Sequence, residues 1–138
     1  MRITATEKRI KENLNYSKID RECVNLCKAI NEIPGICTVE SCCGHGESVY
    51  QIFFFVTSLT NLSLLLSCIH YKYDWAVYVN AVYFGGGVTF YLEGPIGDFE
   101  TAERIAREIR REKMAVQREE EERRKARRAK KSKGGTST

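Results

Sequence analysis

The stretch "ICTVESCCGHGESVYQIFFFV", Ile36 to Val56, decides the fold. Its opening "ICTVESCC" is rich in β-branched residues and reads as a strand, "GHGES" as a turn, and "VYQIFFFV" as the partner strand, so an antiparallel hairpin is predicted. Successive side chains on a strand point to opposite faces, so one of the adjacent Cys42 and Cys43 is expected to be buried and the other presented.

Downstream, "TSLTNLSLLLSCIHYKY" opens on capping hydroxyls and carries leucines over a helix length. "DWAVYVNAVYF" and "VTFYLEG" alternate in side-chain character around a glycine run ending at Gly87, which predicts a second hairpin. Asp98 then caps a long helix with Phe99, Ala102, Ile105, Ala106 and Ile109 on its inner face, Val116 extending it, and Arg104, Arg107 and Arg111 together on a different face. From Gln117 onward the chain is nearly all charge, so residues 117–138 are expected to be a frayed helix or disordered.

Upstream, Thr4 and Glu7 have capping-box spacing ahead of a short helix. Ser17 and Asp20 announce a second helix whose inner positions are Ile19, Cys23, Leu26, Ile30 and Ile33, and "IPG" ends it. The order α, α, β-β, α, β-β, α defines an α+β fold, with one antiparallel sheet of two hairpins, helices packed mainly on one face and a long C-terminal helix. Residues 1–116 are expected to form a single ligand-binding domain.

The 138 residues suffice for one domain with a core of its own. Apolar clusters such as "IFFFV" fall short of the roughly 20 residues that span a bilayer, and the polar N-terminal stretch lacks a secretory apolar region, so a cytoplasmic protein is expected. Most of the six cysteines, in a sequence without an export signal, are expected to be reduced. Residues 1–98 carry 8 Lys and Arg against 10 Asp and Glu, whereas residues 99–138 carry 14 against 8, so the basic character belongs to the C-terminal part. It favours polyanions without choosing one.

Several chemistries compete for "SCCGHG". Zinc would draw on Cys23 and Cys27, one helical turn apart, with Cys42 or Cys43 and His45; without a tight C-x-x-C pair, buried structural cysteines are the simpler expectation, and no metal is assigned. A nucleophile would pair Cys42 or Cys43 with His45 or His70, but the turn leads into a strand and offers no helix dipole to activate it. An anion cradle would use the N–H groups around Gly44 and Gly46 with Ser41, His45 and Ser48; a glycine-rich turn with no ligand fits the same residues. Aromatics crowd the second hairpin, Tyr71, Tyr73, Trp75, Tyr78, Tyr83, Phe84, Phe90 and Tyr91, as core or as base-stacking platforms. The arginines of the last helix can grip phosphates or pair with Glu103, Glu108 and Glu112.

"CKAINEIPGICTVESCCGHG", a strand of aromatics, and "FYLEGPIGDFETAERIAREI" together resemble a family of small phage proteins, the Thoeris anti-defence nucleotide sponges, over roughly residues 4–112. The resemblance implies a non-enzymatic homo-oligomer that sequesters a cyclic ADP-ribose isomer, and in some members cyclic oligonucleotides, between protomers. No catalytic residue or cofactor is then required. It implies an adenine platform at Phe84 beside Tyr83, phosphate grips at Arg107 and Arg111 beside Arg104, and a lining from Ser41, Cys43, Gly44 and His45. "TVESCCGHG" also resembles the Ser-Cys-Ser-Gly-Arg element of the wybutosine-synthesis methyltransferase family, which would imply an S-adenosylmethionine-dependent enzyme acting on transfer RNA. There His45 stands where that element has arginine.

Overall fold

A computed structural model describes residues 5–69, 74–83 and 87–135. The helices are α1 (Ala5–Glu12), α2 (Arg21–Asn31), α3 (Leu59–Ile69) and α4 (Phe99–Gly135), and the strands β1 (Ile36–Cys42), β2 (Tyr50–Val56), β3 (Ala76–Tyr83) and β4 (Gly87–Gly94). Both expected hairpins form, and they join through β2 and β4 into one antiparallel sheet in the order β1-β2-β4-β3. The α+β fold follows.

β2 sets the two faces of this sheet. Tyr50, Ile52, Phe54 and Val56 are buried while Gln51, Phe53 and Phe55 are half-buried, the period of two that a strand covered on one side requires. Register passes the pattern to β4, where Ile52 lies beside Leu92 and Phe54 beside Phe90, whose rings stack at 5.8 Å. Onto this side pack Cys23, Leu26, Cys27 and Ile30 of α2, Leu65 and Ile69 of α3, and Ala102, Ile105, Ala106 and Ile109 of α4. Each large side chain buried here contributes about 1.5–3 kcal/mol. On the opposite side Phe53, Tyr91 and Tyr78 form a ladder with ring spacings of 5.4 and 5.1 Å, and Tyr78 is 45% exposed.

Polar contacts lock the helix layer. The Asn25 carbonyl on α2 accepts from Arg110 Nη1 at 2.7 Å and its amide donates to Glu103 at 2.6 Å, so α2 and α4 lie side by side. Asn31 accepts from Thr38 N at 2.8 Å and donates to Thr38 Oγ1 at 2.8 Å, joining α2 to β1. Asp98 caps α4 as expected, its Oδ1 accepting from Thr101 N at 3.3 Å, and its Oδ2 also accepts from the Trp75 indole at 2.9 Å. Those bonds hold the Asp98 carboxyl below its ordinary range. Trp75 lies so close to Gly94 that an added Cβ would be 2.4 Å from its ring.

Two local expectations are corrected. Ser17 does not open the second helix but sits in a 3-10 turn, Tyr16–Lys18, where Asn15 Oδ1 accepts its N–H at 3.1 Å. Asp20 stands at the N-cap position of α2 without a side-chain capping bond, because its carboxylate reaches the β1–β2 turn instead. Glu7 accepts from Gly35 N at 2.6 Å and pairs with Lys11 at 2.6 Å, fastening α1 to the turn after α2; Thr4 lies outside the described residues. α4 continues without a break past residue 116 to Gly135. Val116 and Glu120 border a groove against Ser58, Asn61 and Leu64 of the α3 region, and residues 121–132 are exposed throughout. No helix among the described residues is long and apolar enough to cross a membrane.

Candidate functional site

Tyr50, the first residue of β2, donates its hydroxyl to Glu22 O at 3.0 Å and so draws the β1–β2 turn onto the start of α2. Gly44, His45 and Gly46 follow one another at φ of 79°, 54° and 77°. A left-handed run of this kind is easy for glycine and costly for histidine. It curls the backbone so tightly that a Cβ on Gly44 would lie 2.8 Å from Val49 O.

The curl gathers three side chains from two elements. Asp20 Oδ2 accepts from Cys43 N at 2.9 Å and lies 3.8 Å from His45 Nε2, while Cys43 Sγ lies 3.7 Å from His45 Nδ1. One donor atom from each of Asp20, Cys43 and His45 is within 4.8 Å of the others. The two cysteines divide as expected, Cys43 buried and Cys42 exposed, although Cys43 lies just past the end of β1, with φ of −76° and ψ of −7°. Two backbone N–H groups point at sulfur, Gly44 N at Cys42 Sγ and His45 N at Cys43 Sγ, each at 3.4 Å.

Electrostatics sort the competing chemistries. The Cys43 N–H bond holds the Asp20 carboxyl below its usual range, whereas burial raises the Cys43 thiol. A thiol held protonated in this way is not an activated nucleophile. Burial lifts Cys23 to about 12 and Cys27 to about 11, and both are fully enclosed in the core, so they act as packing residues rather than as the zinc ligands considered above. The N–H groups of Cys43, Gly44 and His45 bond Asp20 and the two sulfurs, and those of Glu47 and Ser48 bond Gly44 O, so these five are engaged within the protein rather than offered to an anion. Ser41 faces the core side of β1, opposite Ile52, and bonds Cys27. It is therefore placed away from a ligand on the turn.

The other candidates lie elsewhere. Arg104, Arg107 and Arg111 are all exposed on the outer side of α4, away from its buried stripe. Arg104 pairs with Glu100 at 3.3 Å, while among the described residues Arg107 and Arg111 are in no ion pair. Tyr83 ends β3 opposite Gly87, at the end of the sheet remote from the Cys42–Gln51 pair that leads into the histidine turn. Seven or eight strand residues separate those ends by about 25 Å. Phe84 and His70 lie outside the described residues. Within one chain, the sequence candidates thus occupy three places.

Sequence reasoning missed Asp20 as a site residue. It is 23 residues from Cys43 and reads locally as a helix cap. The only signal was an acid at a helix start preceding a Cys-Cys-Gly-His turn.

Comparison with known protein families, curated proteins and solved structures finds no match.

Proposed function

We propose that the protein binds and sequesters a cyclic nucleotide immune signal, a cyclic ADP-ribose isomer or a cyclic oligonucleotide, without degrading it, as a homo-oligomeric phage anti-defence protein in the cytoplasm of the infected cell. The observation that carries this reading is the pair Arg107 and Arg111, one helical turn apart, exposed and in no ion pair among the described residues. Guanidinium groups at that spacing suit the two phosphates of a pyrophosphate, each bond being charge-assisted. The resemblance in sequence supports the same assignment and adds Phe84 as the base platform. Sequestration is mass action: with a dissociation constant far below the signal concentration and protomers in excess, free signal falls below the threshold of its effector.

Native mass spectrometry of the purified protein with cyclic ADP-ribose isomers and cyclic di- and trinucleotides tests this. The expected result is an oligomer carrying nucleotide that heat releases chemically intact. Arg107→Ala or Arg111→Ala should each weaken binding by roughly tenfold to a hundredfold, the worth of one charged hydrogen bond, with an unchanged melting profile. Turnover of the nucleotide, or no binding to any of them, would overturn the proposal. Methyl transfer from S-adenosylmethionine to transfer RNA would put the RNA-modifying alternative in its place.

A further inference from the structure

We infer that Asp20, Cys43 and His45 form a binding site for a divalent transition-metal ion of zinc type. A thiol, an imidazole and a carboxylate converge here from the start of α2 and the turn after β1. Cys43 N–H needs only an acceptor, whereas the His45 ring is 69% exposed and is nonetheless held next to both partners. The mixture of sulfur, nitrogen and oxygen donors is one that zinc accepts.

The distances fit. Bonds of about 2.3 Å to sulfur and about 2.05 Å to nitrogen at a tetrahedral angle place those two donor atoms about 3.6 Å apart. Cys43 Sγ and His45 Nδ1 are 3.7 Å apart. Asp20 Oδ2 lies 3.8 Å from the other ring nitrogen, Nε2, and one ion takes only one nitrogen of the ring; with one donor atom from each residue within 4.8 Å of the others, reorientation of the exposed imidazole gathers the set around one ion. The His45 side chain is 69% exposed, so solvent water can supply the fourth ligand.

The backbone supplies an outer shell. The N–H of His45, donating to Cys43 Sγ at 3.4 Å, disperses the negative charge that a metal-bound thiolate carries. The left-handed His45 backbone makes that bond and sets the ring beside the sulfur. Binding replaces the Cys43 S–H bond by a metal–sulfur bond, and the proton leaves to buffer.

The test is titration of the full-length, chelator-treated protein with Co²⁺ and then Zn²⁺, followed by absorption and by thermal denaturation. One Co²⁺ per chain is expected, with thiolate charge-transfer and tetrahedral ligand-field bands that Zn²⁺ abolishes, and with a raised melting temperature. Asp20→Asn retains an acceptor for the Cys43 amide and so keeps the fold. Asp20→Asn and His45→Ala are each expected to weaken Co²⁺ affinity beyond the roughly 10–100-fold that loss of an outer-shell partner costs. Cys23→Ala should leave the bands unchanged. Absence of a tetrahedral Co²⁺ spectrum, or the same spectrum and affinity in both Asp20→Asn and His45→Ala, would overturn the assignment.

Discussion

At the scale of single residues, His45 is the point where local preference and the observed backbone disagree. Its φ of 54° lies where an L side chain pays about 1–2 kcal/mol, while glycine pays nothing sterically but loses about 0.5–1 kcal/mol of unfolded-chain entropy. His45→Gly is therefore expected to stabilise the metal-free protein by about 0.5–1 kcal/mol while eliminating Co²⁺ binding. Urea denaturation in chelator checks the first half, and an unchanged or lower stability would mean that contacts of the ring outweigh its backbone strain. Sequence pattern could not disclose that strain. A histidine between two glycines is as compatible with a relaxed turn as with a left-handed run, and Asp20, which closes the cluster, is recognisable only once the chain has folded.

At the scale of elements, the hairpins and the buried stripe of α4 were legible because their signals are local: alternation in β2, and helical spacing of Ala102, Ile105, Ala106 and Ile109. The β2–β4 pairing at the centre of the sheet was not, since pattern says which face of a strand is apolar but not which strand lies beside it. The junction from β4 into α4 combines both kinds of information. Asp98 was readable as a cap, but its second bond, to the Trp75 indole, depends on the close packing of Trp75 against Gly94. Hydrogen bonds from Thr101 and Trp75 lower the folded-state pKa of Asp98. Its contribution is therefore complete above the unfolded value of about 3.9 and is lost as pH falls through the lower folded value. Asp98→Ala should cost about 0.5–2 kcal/mol at pH 7 and much less at pH 2. Trp75 is the sole tryptophan, so its fluorescence during denaturation at the two pH values reports the junction directly. An equal loss at both would dismiss the charged cap.

At the scale of the whole molecule, the proposed function places the nucleotide between protomers. Arg107 and Arg111 are exposed on α4, in the helix layer, whereas β3 ends at Tyr83 in the sheet layer. On that proposal, one protomer supplies the Phe84 platform and its partner the two arginines. This makes oligomerisation part of the binding chemistry and gives it a signature. Phe84→Ala and the double variant Arg107→Ala/Arg111→Ala should each fail to retain nucleotide alone. In a two-fold dimer, each site takes its platform from one protomer and its arginines from the other. Unfolding and refolding the two variants together in equal amounts makes half of the dimers mixed, and each mixed dimer has one fully intact site. About a quarter of wild-type nucleotide capacity should therefore return, measured by equilibrium dialysis with a cyclic ADP-ribose isomer. If mixed dimers form, as native mass spectrometry would show, and no capacity returns, the platform and the arginines do not come from opposite protomers of such a dimer.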